Sequence, residues 1–497
     1  MCGIAGYCGP AGRFSDQKLR EMLRAIEHRG PDDCGVFSAP LPGNDEMRVW
    51  LGSRRLAIQD LTPAGHQPMI DQATGNAIAF NGEIYNFLEL RARLEEKGCP
   101  FRSRCDTEVA LRSWCAQGLA AVEQWRGMFG AALWDQGRQE LWLLRDHWGI
   151  KPLYYHRDGE GLAFCSEVRG LLAGGVVPRQ LSRRGLEDYL RYGAPQDPVT
   201  IIDGVYALLP GHALKWSKGK LEIRRYSESL SQMPSGRRTI ESMLREIVRQ
   251  QLISDVPVVV FLSGGVDSSV VSLLARQEAG AGVNTMSVVF EESHYSERYY
   301  ARRVAERIGT RHHEVLLKGA EARQKAIEAI SRMDQPSIDG INTYVVCEAA
   351  RRGGFTVALS GLGGDEFFGP QGGVAEPGCE ECDTAEAAAQ TVELAYFLCF
   401  GIPHLKGFYS LKSERRHLCA RHARRACLWA NLYTGVLGSW FLLAPITIGK
   451  IVQNIQNVRK AHGRNWRFVL LALAFGLVPP LLGLILAYFL LTRGFIK

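Results

Sequence analysis

The chain has 497 residues, 46% hydrophobic and 22% charged, too long for a single core and too ordinary in composition for a disordered or fibrous protein. Its formal charge of +7 gathers in the last quarter, with six Lys/Arg between Lys412 and Arg425 and five more between Lys450 and Arg467, which argues against nucleic acid as a partner of the whole chain. Eight of the thirteen cysteines precede residue 350 at irregular spacings, a pattern that fits reduced cytosolic thiols better than a disulfide framework.

The N-terminus has neither a basic n-region nor an apolar h-region, so a cytosolic head is expected. Residues 1 to about 225 carry short alternating runs such as Ala77–Phe80 and Glu140–Leu144 with helical stretches between them, which predicts two layers of sheet flanked by helices. Met1-Cys2-Gly3-Ile4 opens the chain. Initiator Met is normally trimmed before a small residue, leaving Cys2 with its own α-amino group, a base of reference pKa near 8 beside a nucleophilic thiol. His28–Asp33 (HRGPDD), Arg54–Ile58 (RRLAI), Asn81–Asn86 (NGEIYN) and Cys105–Glu108 (CDTE) follow in that order. Singly, Asn81-Gly82 reads as a hairpin turn, Asp106 as a helix cap and Arg55 as a surface ion pair.

Together with Cys2–Gly6 (CGIAG), these motifs resemble the class II glutamine amidotransferases, of N-terminal-nucleophile hydrolase fold. The resemblance implies that Cys2 attacks the glutamine amide and that Asn81 and the Gly82 amide stabilise the oxyanion. It further implies that Arg55 grips the α-carboxylate of glutamine, and that Glu83 and Asp106 take its α-ammonium.

Ser227–Gly236 is polar and turn-rich and reads as a linker. Beyond it helices alternate with short apolar strands, Val258–Leu262, Thr285–Phe290 and Phe355–Leu359, the pattern of a parallel α/β sheet. Ser263–Ser269 (SGGVDSS) sits between the first of these strands and an apolar helix at 270–275, where glycines and a helix N-terminus suit a phosphate. Ser360–Glu366 (SGLGGDE) follows the third strand, so both turns are expected at the carboxyl edge of one sheet.

SGGxDSS resembles the loop of ATP pyrophosphatases, which adenylate a substrate. By that likeness Phe261, Ser263, Gly264, Gly265, Asp267, Ser268, Ser269, Ser287, Val289, Ser360 and Gly361 line ATP, while Asp267 and Asp365 hold Mg²⁺. The order of motifs over residues 1 to about 369 resembles glutamine-hydrolysing asparagine synthetase. That likeness implies glutamine, aspartate and ATP as substrates and an aspartyl-adenylate that captures channelled ammonia. An acceptor carboxylate other than aspartate stays open, as does a homodimer. Leu362 stands where some relatives carry Glu, and after Gly369 the chain leaves the family pattern for Pro370-Gln-Gly-Gly.

The last stretch reads differently. Cys379, Cys382, Cys419 and His422 form a Cys-x₂-Cys and a Cys-x₂-His pair suited to a structural Zn²⁺. Asn431–Gly449 and Phe468–Thr492 are uncharged runs of 19 and 25 residues, so membrane contact and an anchor for the cytosolic head are expected. The sequence thus predicts an α/β multidomain chain: an αββα N-terminal-nucleophile sandwich over 2–226 and a shortened parallel-sheet adenylating domain over 237–369. A linker or zinc segment over 370–427 and two hydrophobic helices within 428–497 complete it. A membrane-tethered glutamine- or zinc-binding interaction protein with an inert second half is the rival reading.

Overall fold

The computed structural model describes residues 1–226, 239–290, 297–364 and the strands 389–400 and 408–419. The chain divides into two compact units, Met1–Asp365 and Glu366–Lys497.

Twelve strands build the first half of the larger unit: β1 (Gly3–Pro10), β2 (Asp33–Leu41), β3 (Asn44–Arg55), β4 (Met69–Ile70), β5 (Ala77–Ile84), β6 (Gly127–Asp135), β7 (Glu140–Arg145), β8 (Tyr154–Asp158), β9 (Gly161–Cys165), β10 (Tyr206–Ala207), β11 (His212–Ser217) and β12 (Lys220–Arg225). They form two six-stranded sheets, ordered β10-β8-β9-β1-β3-β2 and β12-β11-β7-β6-β5-β4, antiparallel throughout. Helices α1 (Asp16–Ala25), α2 (Phe87–Glu95), α3 (Asp106–Gln117), α4 (Leu119–Val122), α5 (Val168–Ala173) and α6 (Arg183–Tyr192) accompany them.

Strand β5 shows why the layers stack. Its period of two sends Ala77 and Ala79 into the core between the sheets, with Leu51, Trp134, Phe164 and Trp216. Ile78 and Phe80 point the other way, under α2 and α3, against Leu90, Trp114 and Phe129. On the outer face of the first sheet, Tyr7 and Trp50 meet Leu19 and Leu23 of α1 and Leu171 of α5. The result is the expected helix–sheet–sheet–helix sandwich. Ser15 caps α1 by accepting the Lys18 amide at 3.4 Å, a contribution of about 1 kcal/mol.

The second half of this unit contains α7 (Ile240–Gln251), β13 (Val258–Phe261), α8 (Val266–Ala279), β14 (Asn284–Phe290), α9 (Arg298–Ile308), β15 (Arg311–Leu317), α10 (Gly319–Arg332), α11 (Gly340–Arg352) and β16 (Val357–Leu359). The four strands pair in parallel, in the order β15-β14-β13-β16. Val260 and Leu359 pack with Val248 and Leu274 on one face, while Val259 and Met286 pack with Ala349 and Phe355 on the other. Burial on both faces explains the unbroken apolar run of β13. Strand β15 was not expected: it opens on Arg311-His312-His313-Glu314 and alternates exposed with half-buried positions, as an edge strand does.

The smaller unit holds a hairpin within 370–427, the stretch offered above as a linker or zinc segment. Strands β17 (Ala389–Phe400) and β18 (Phe408–Cys419) form an antiparallel hairpin, with Ala389 opposite Cys419 and Phe400 opposite Phe408. The β-branched and aromatic residues of Thr391–Phe397 favour that conformation. Cys419, offered above as a zinc ligand, ends β18, and Cys379, Cys382 and His422 lie outside the described residues, as do Asp365, the linker 227–236 and both hydrophobic runs. Among the described residues no group of three His, Cys, Asp or Glu side chains is placed to hold a metal, and no helix is long and apolar enough to cross a membrane. The eight cysteines from Cys2 to Cys347 are free thiols.

Candidate active sites

Cys2 immediately precedes β1, a central strand of the first sheet. Its Sγ accepts the Leu56 amide at 3.4 Å and lies 3.6 Å from the Leu56 carbonyl. Burial pushes the thiol up, and the adjacent terminal amine opposes that rise. Met1 is in place here, so that amine is Met1's; burial pushes it down to about 5, which leaves it an uncharged base at neutral pH.

Strand β5, in the facing sheet, packs against β1 and carries Asn81, Gly82 and Glu83. Asn81 is fully buried, yet neither Nδ2 nor Oδ1 has a hydrogen-bond partner. An orphaned buried amide costs about 1–3 kcal/mol, so it marks a place where a ligand group belongs. Gly82 has no room for a side chain, since a Cβ there would stand 2.3 Å from the Met128 carbonyl oxygen.

Glu83 accepts the side-chain amide of Gln59 at 2.6 Å. Burial pushes its carboxyl well up, Asp106 pushes in the same direction, and Lys151 pulls it down. Asp106 begins α3 and accepts the Ile84 amide at 2.9 Å; burial raises it to about 6 against that bond and the pull of Arg55.

The Arg55 guanidinium is buried and donates only to main-chain carbonyls, those of Gln59 (3.0 Å), Asp60 (2.6 Å) and Thr62 (3.4 Å). Against burial, its charge lowers the nearby Asp106 and Asp60 carboxyls, and its carbonyl-lined setting leaves it suited to an anion. Gly65 makes way for it, because a Cβ there would lie 2.0 Å from Nη2. A cation, two carboxylates and an unpartnered amide therefore surround a buried thiol, which suits an α-amino acid bearing a side-chain amide.

Sequence reasoning missed three participants. Gln59 orients Glu83; Lys151 is a buried cation whose pKa burial lowers, acting on both Glu83 and Cys2; Arg29 donates to the Cys2 carbonyl oxygen at 2.8 Å. Arg29 lay in the quoted HRGPDD motif without a role. Lys151, a lone lysine in Gly149–Leu153, carried no signal at all.

In the parallel-sheet half, Ser263–Ser269 leaves β13 and enters α8, whose N-cap Gly265 provides no side-chain cap for the first-turn amides. Ser263, Ser268 and Ser269 bond within the loop, Ser263 Oγ standing 3.0 Å from Ser268 Oγ and Ser269 Oγ donating to the Gly265 carbonyl at 2.6 Å. Gly264 takes φ +89° where Tyr300 and Ala301 crowd it. Ser360 and Gly361 follow β16, adjacent to β13, and the two loops meet: a Cβ at Gly361 would stand 2.9 Å from the Ser268 amide nitrogen, and one at Gly364 would stand 2.5 Å from the Asp267 carboxyl carbon. Phe261 ends β13 half-buried. Ser287 and Val289 are buried in β14, the strand beside β13, Ser287 donating to the Leu262 carbonyl beside His312. The uncapped helix terminus and the glycine cradle around Asp267 fit a polyphosphate and its divalent cation.

A glutamine amidotransferase domain family matches residues 1–227, and the asparagine synthase family matches 239–434, running past Gly369 where the motif likeness stops. Asparagine synthetase 3 (glutamine-hydrolyzing) of Bacillus subtilis is 32% identical over 398 residues, 74% of this chain and 63% of its own length. A Methanocaldococcus jannaschii protein provisionally named asparagine synthetase 2 (glutamine-hydrolyzing) is 33% identical over 74% of this chain and 75% of its own. Amidase chry2 of Gibberella zeae is 30% identical over 74% of this chain and 59% of its own. The chain thus spans somewhat under two thirds of the Bacillus relative. Among solved structures, a Bacillus subtilis glutamine phosphoribosylpyrophosphate amidotransferase is 14% identical over 78% of this chain and 96% of its own, with a TM-score of 0.36, too slight a likeness to build on. With both domain matches in one chain and a third of the aligned residues identical to the archaeal relative across most of that protein's length, the chain belongs to the glutamine-hydrolysing asparagine synthetase family.

Proposed function

We propose that this chain is an ATP-dependent amidotransferase that hydrolyses glutamine at Cys2 and passes ammonia to a carboxylate, that of aspartate, activated at the SGGVDSS loop. The observation that carries the reading is the unpartnered, fully buried Asn81 amide on the strand facing Cys2. Cys2 attacks the glutamine side-chain carbon and releases ammonia; water then frees glutamate. The Asn81 side chain and the Gly82 amide receive the oxyanion. Arg55 receives the α-carboxylate, and Glu83 and Asp106 the α-ammonium. In the other half, Gly264, Gly265, Ser263, Ser268 and Ser269 cradle the ATP phosphates with Ser360 and Gly361 across from them, and Asp267 together with Asp365 holds Mg²⁺. A cation held there would supply charge neutralisation to the phosphates, and the acceptor carboxylate displaces pyrophosphate. Ammonia then displaces AMP to give asparagine.

The test supplies ATP, Mg²⁺ and aspartate with either glutamine or ammonium chloride. Cys2→Ala should abolish asparagine formation from glutamine and preserve equimolar AMP and asparagine from ammonia. Failure of the wild type to make AMP from ammonia overturns the synthetase half of the reading; failure to release glutamate overturns the glutaminase half. A different acceptor is a second reading, favoured by the amidase relative that matches the same share of the chain. AMP formation from ATP and ammonia with another carboxylic acid supplied in place of aspartate, and none with aspartate, supports it.

A further inference from the structure

Residues Ser166–Arg169 touch the nucleophile's segment on one side and the ATP-loop half on the other. Towards the nucleophile, the Ser166 amide donates to the Ile4 carbonyl at 2.8 Å, and the Ile4 amide donates back to Ser166 Oγ at 2.9 Å. Glu167 accepts Arg29 Nη1 at 2.8 Å, while Arg29 Nε donates to the carbonyl oxygen of Cys2 itself at 2.8 Å. His28 Nε2 stands 2.9 Å from the same Glu167 oxygen.

Towards the other half, the Asp334 carboxylate accepts two successive amides, Val168 at 2.7 Å and Arg169 at 2.8 Å. The Arg169 guanidinium lies between two acids, its Nε 3.0 Å from Glu167 and 3.4 Å from Asp334, and it also donates to the Arg332 carbonyl. Ser166, Glu167 and Arg29 are each less than a tenth exposed. These are charged hydrogen bonds out of bulk water, where geometry is held most stiffly.

We propose that residues 166–169 form a positioning link through which Asp334, in the ATP-loop half, sets the placement of Cys2. The inference rests on the reading of Cys2 as nucleophile. Asp334 fixes the turn from β9 into α5 by binding the first two amides of that helix, just after its N-cap Glu167. That turn carries Glu167, Glu167 fixes Arg29, and Arg29 holds the Cys2 carbonyl. The link touches Cys2 without touching Arg55, Glu83 or Asp106. It therefore acts on the reactivity of the thiol and not on the grip on glutamine, and it gives the synthetase half a mechanical handle on the glutaminase nucleophile.

The test uses the full chain with Asp334→Asn, Arg29→Lys, the double variant and Glu246→Gln. The last removes an Arg126–Glu246 contact between the halves at 3.9 Å that lies apart from the link. Cys2 alkylation by iodoacetamide is followed by peptide mass mapping, with exposed Cys34 as the internal reference. A displaced Cys2 loses the Leu56 amide that favours its thiolate, so Asp334→Asn should slow Cys2 alkylation about five-fold or more. Cys34 and the Glu246→Gln protein should be unaffected, and the double variant should be no slower than Arg29→Lys alone. Glutamine turnover should show kcat falling by a like factor with KM unchanged. An unchanged Cys2 rate in Asp334→Asn, additive effects, or parallel slowing at Cys34 overturns the link. If the wild type fails to hydrolyse glutamine, the functional reading falls, while the alkylation ratios still judge the link.

Discussion

Gln59 donates its side-chain amide to Glu83 at 2.6 Å, on a carboxyl that burial and neighbouring Asp106 both push up. The two acids thus sit buried together, and Asp106 is raised to about 6. Binding an α-ammonium requires them as anions. We expect kcat/KM for glutamine to fall as pH drops through about 6, about ten-fold per unit once protonation is complete. A pH–rate profile from 5 to 9 checks this, and a flat profile down to pH 5 removes Asp106 from the site.

The same shift predicts a stability effect of definite sign. Asp106 has a folded pKa of about 6 against an ordinary 3.8, so its neutral form is favoured in the folded state. The burial penalty is absent below about pH 4, grows as pH rises, and is complete above pH 6. Asp106→Asn should therefore stabilise the chain at pH 8 by ~1–3 kcal/mol, with the gain vanishing at pH 4. Thermal unfolding at the two pH values measures it; an equal effect at both refutes the assignment.

Asn81→Ala removes the orphaned amide and leaves Gly82 to receive the oxyanion alone. The expected loss is about 10²–10³ in kcat for glutamine, with little change in KM. Because an unsatisfied buried group is removed, thermal stability should hold or rise. Loss of both activity and fold would instead make Asn81 a packing residue.

Gly364→Ala tests the meeting of the two loops. The added methyl collides with the Asp267 carboxyl, which must move. Nucleotide binding should weaken about ten-fold, ~1.4 kcal/mol, while glutamine hydrolysis persists. Calorimetry with ATP and Mg²⁺ reads the first and glutamate release the second.

What the sequence made legible follows from contiguity. Cys2, Asn81-Gly82 and the SGGVDSS loop are written within a few residues each, and their strands alternate or run apolar as their burial demands. Lys151, Gln59 and Glu167 were not legible, because each acquires meaning only from residues far along the chain: Lys151 from Glu83 and Cys2, Glu167 from Arg29. Strand β15 hid for another reason. An edge strand satisfies water on one side, so its first four residues are polar or charged and give no apolar run to read. Ser287 and Val289 rest on likeness, and the alternation of their strand carried only their burial, the two-sided packing of a parallel sheet.

One contact between the halves carries a lesson for rearranging this architecture. Asp255, at the foot of β13, accepts the Asp60 amide through its carboxylate at 2.8 Å and returns its own amide to the Ile58 carbonyl at 2.9 Å. The loop it clasps supplies the three carbonyls around Arg55, and Asp60 holds the unusual φ of +53° there. The N-terminal half is therefore not a cassette. A chimera that grafts residues 1–226 onto a foreign second half inherits the thiol and the orphaned amide, but keeps the carbonyl cage of Arg55 only if the new host offers a carboxylate where Asp255 stands. That clasp joins the Asp334 contacts with Val168 and Arg169 among the conditions any such graft must reproduce.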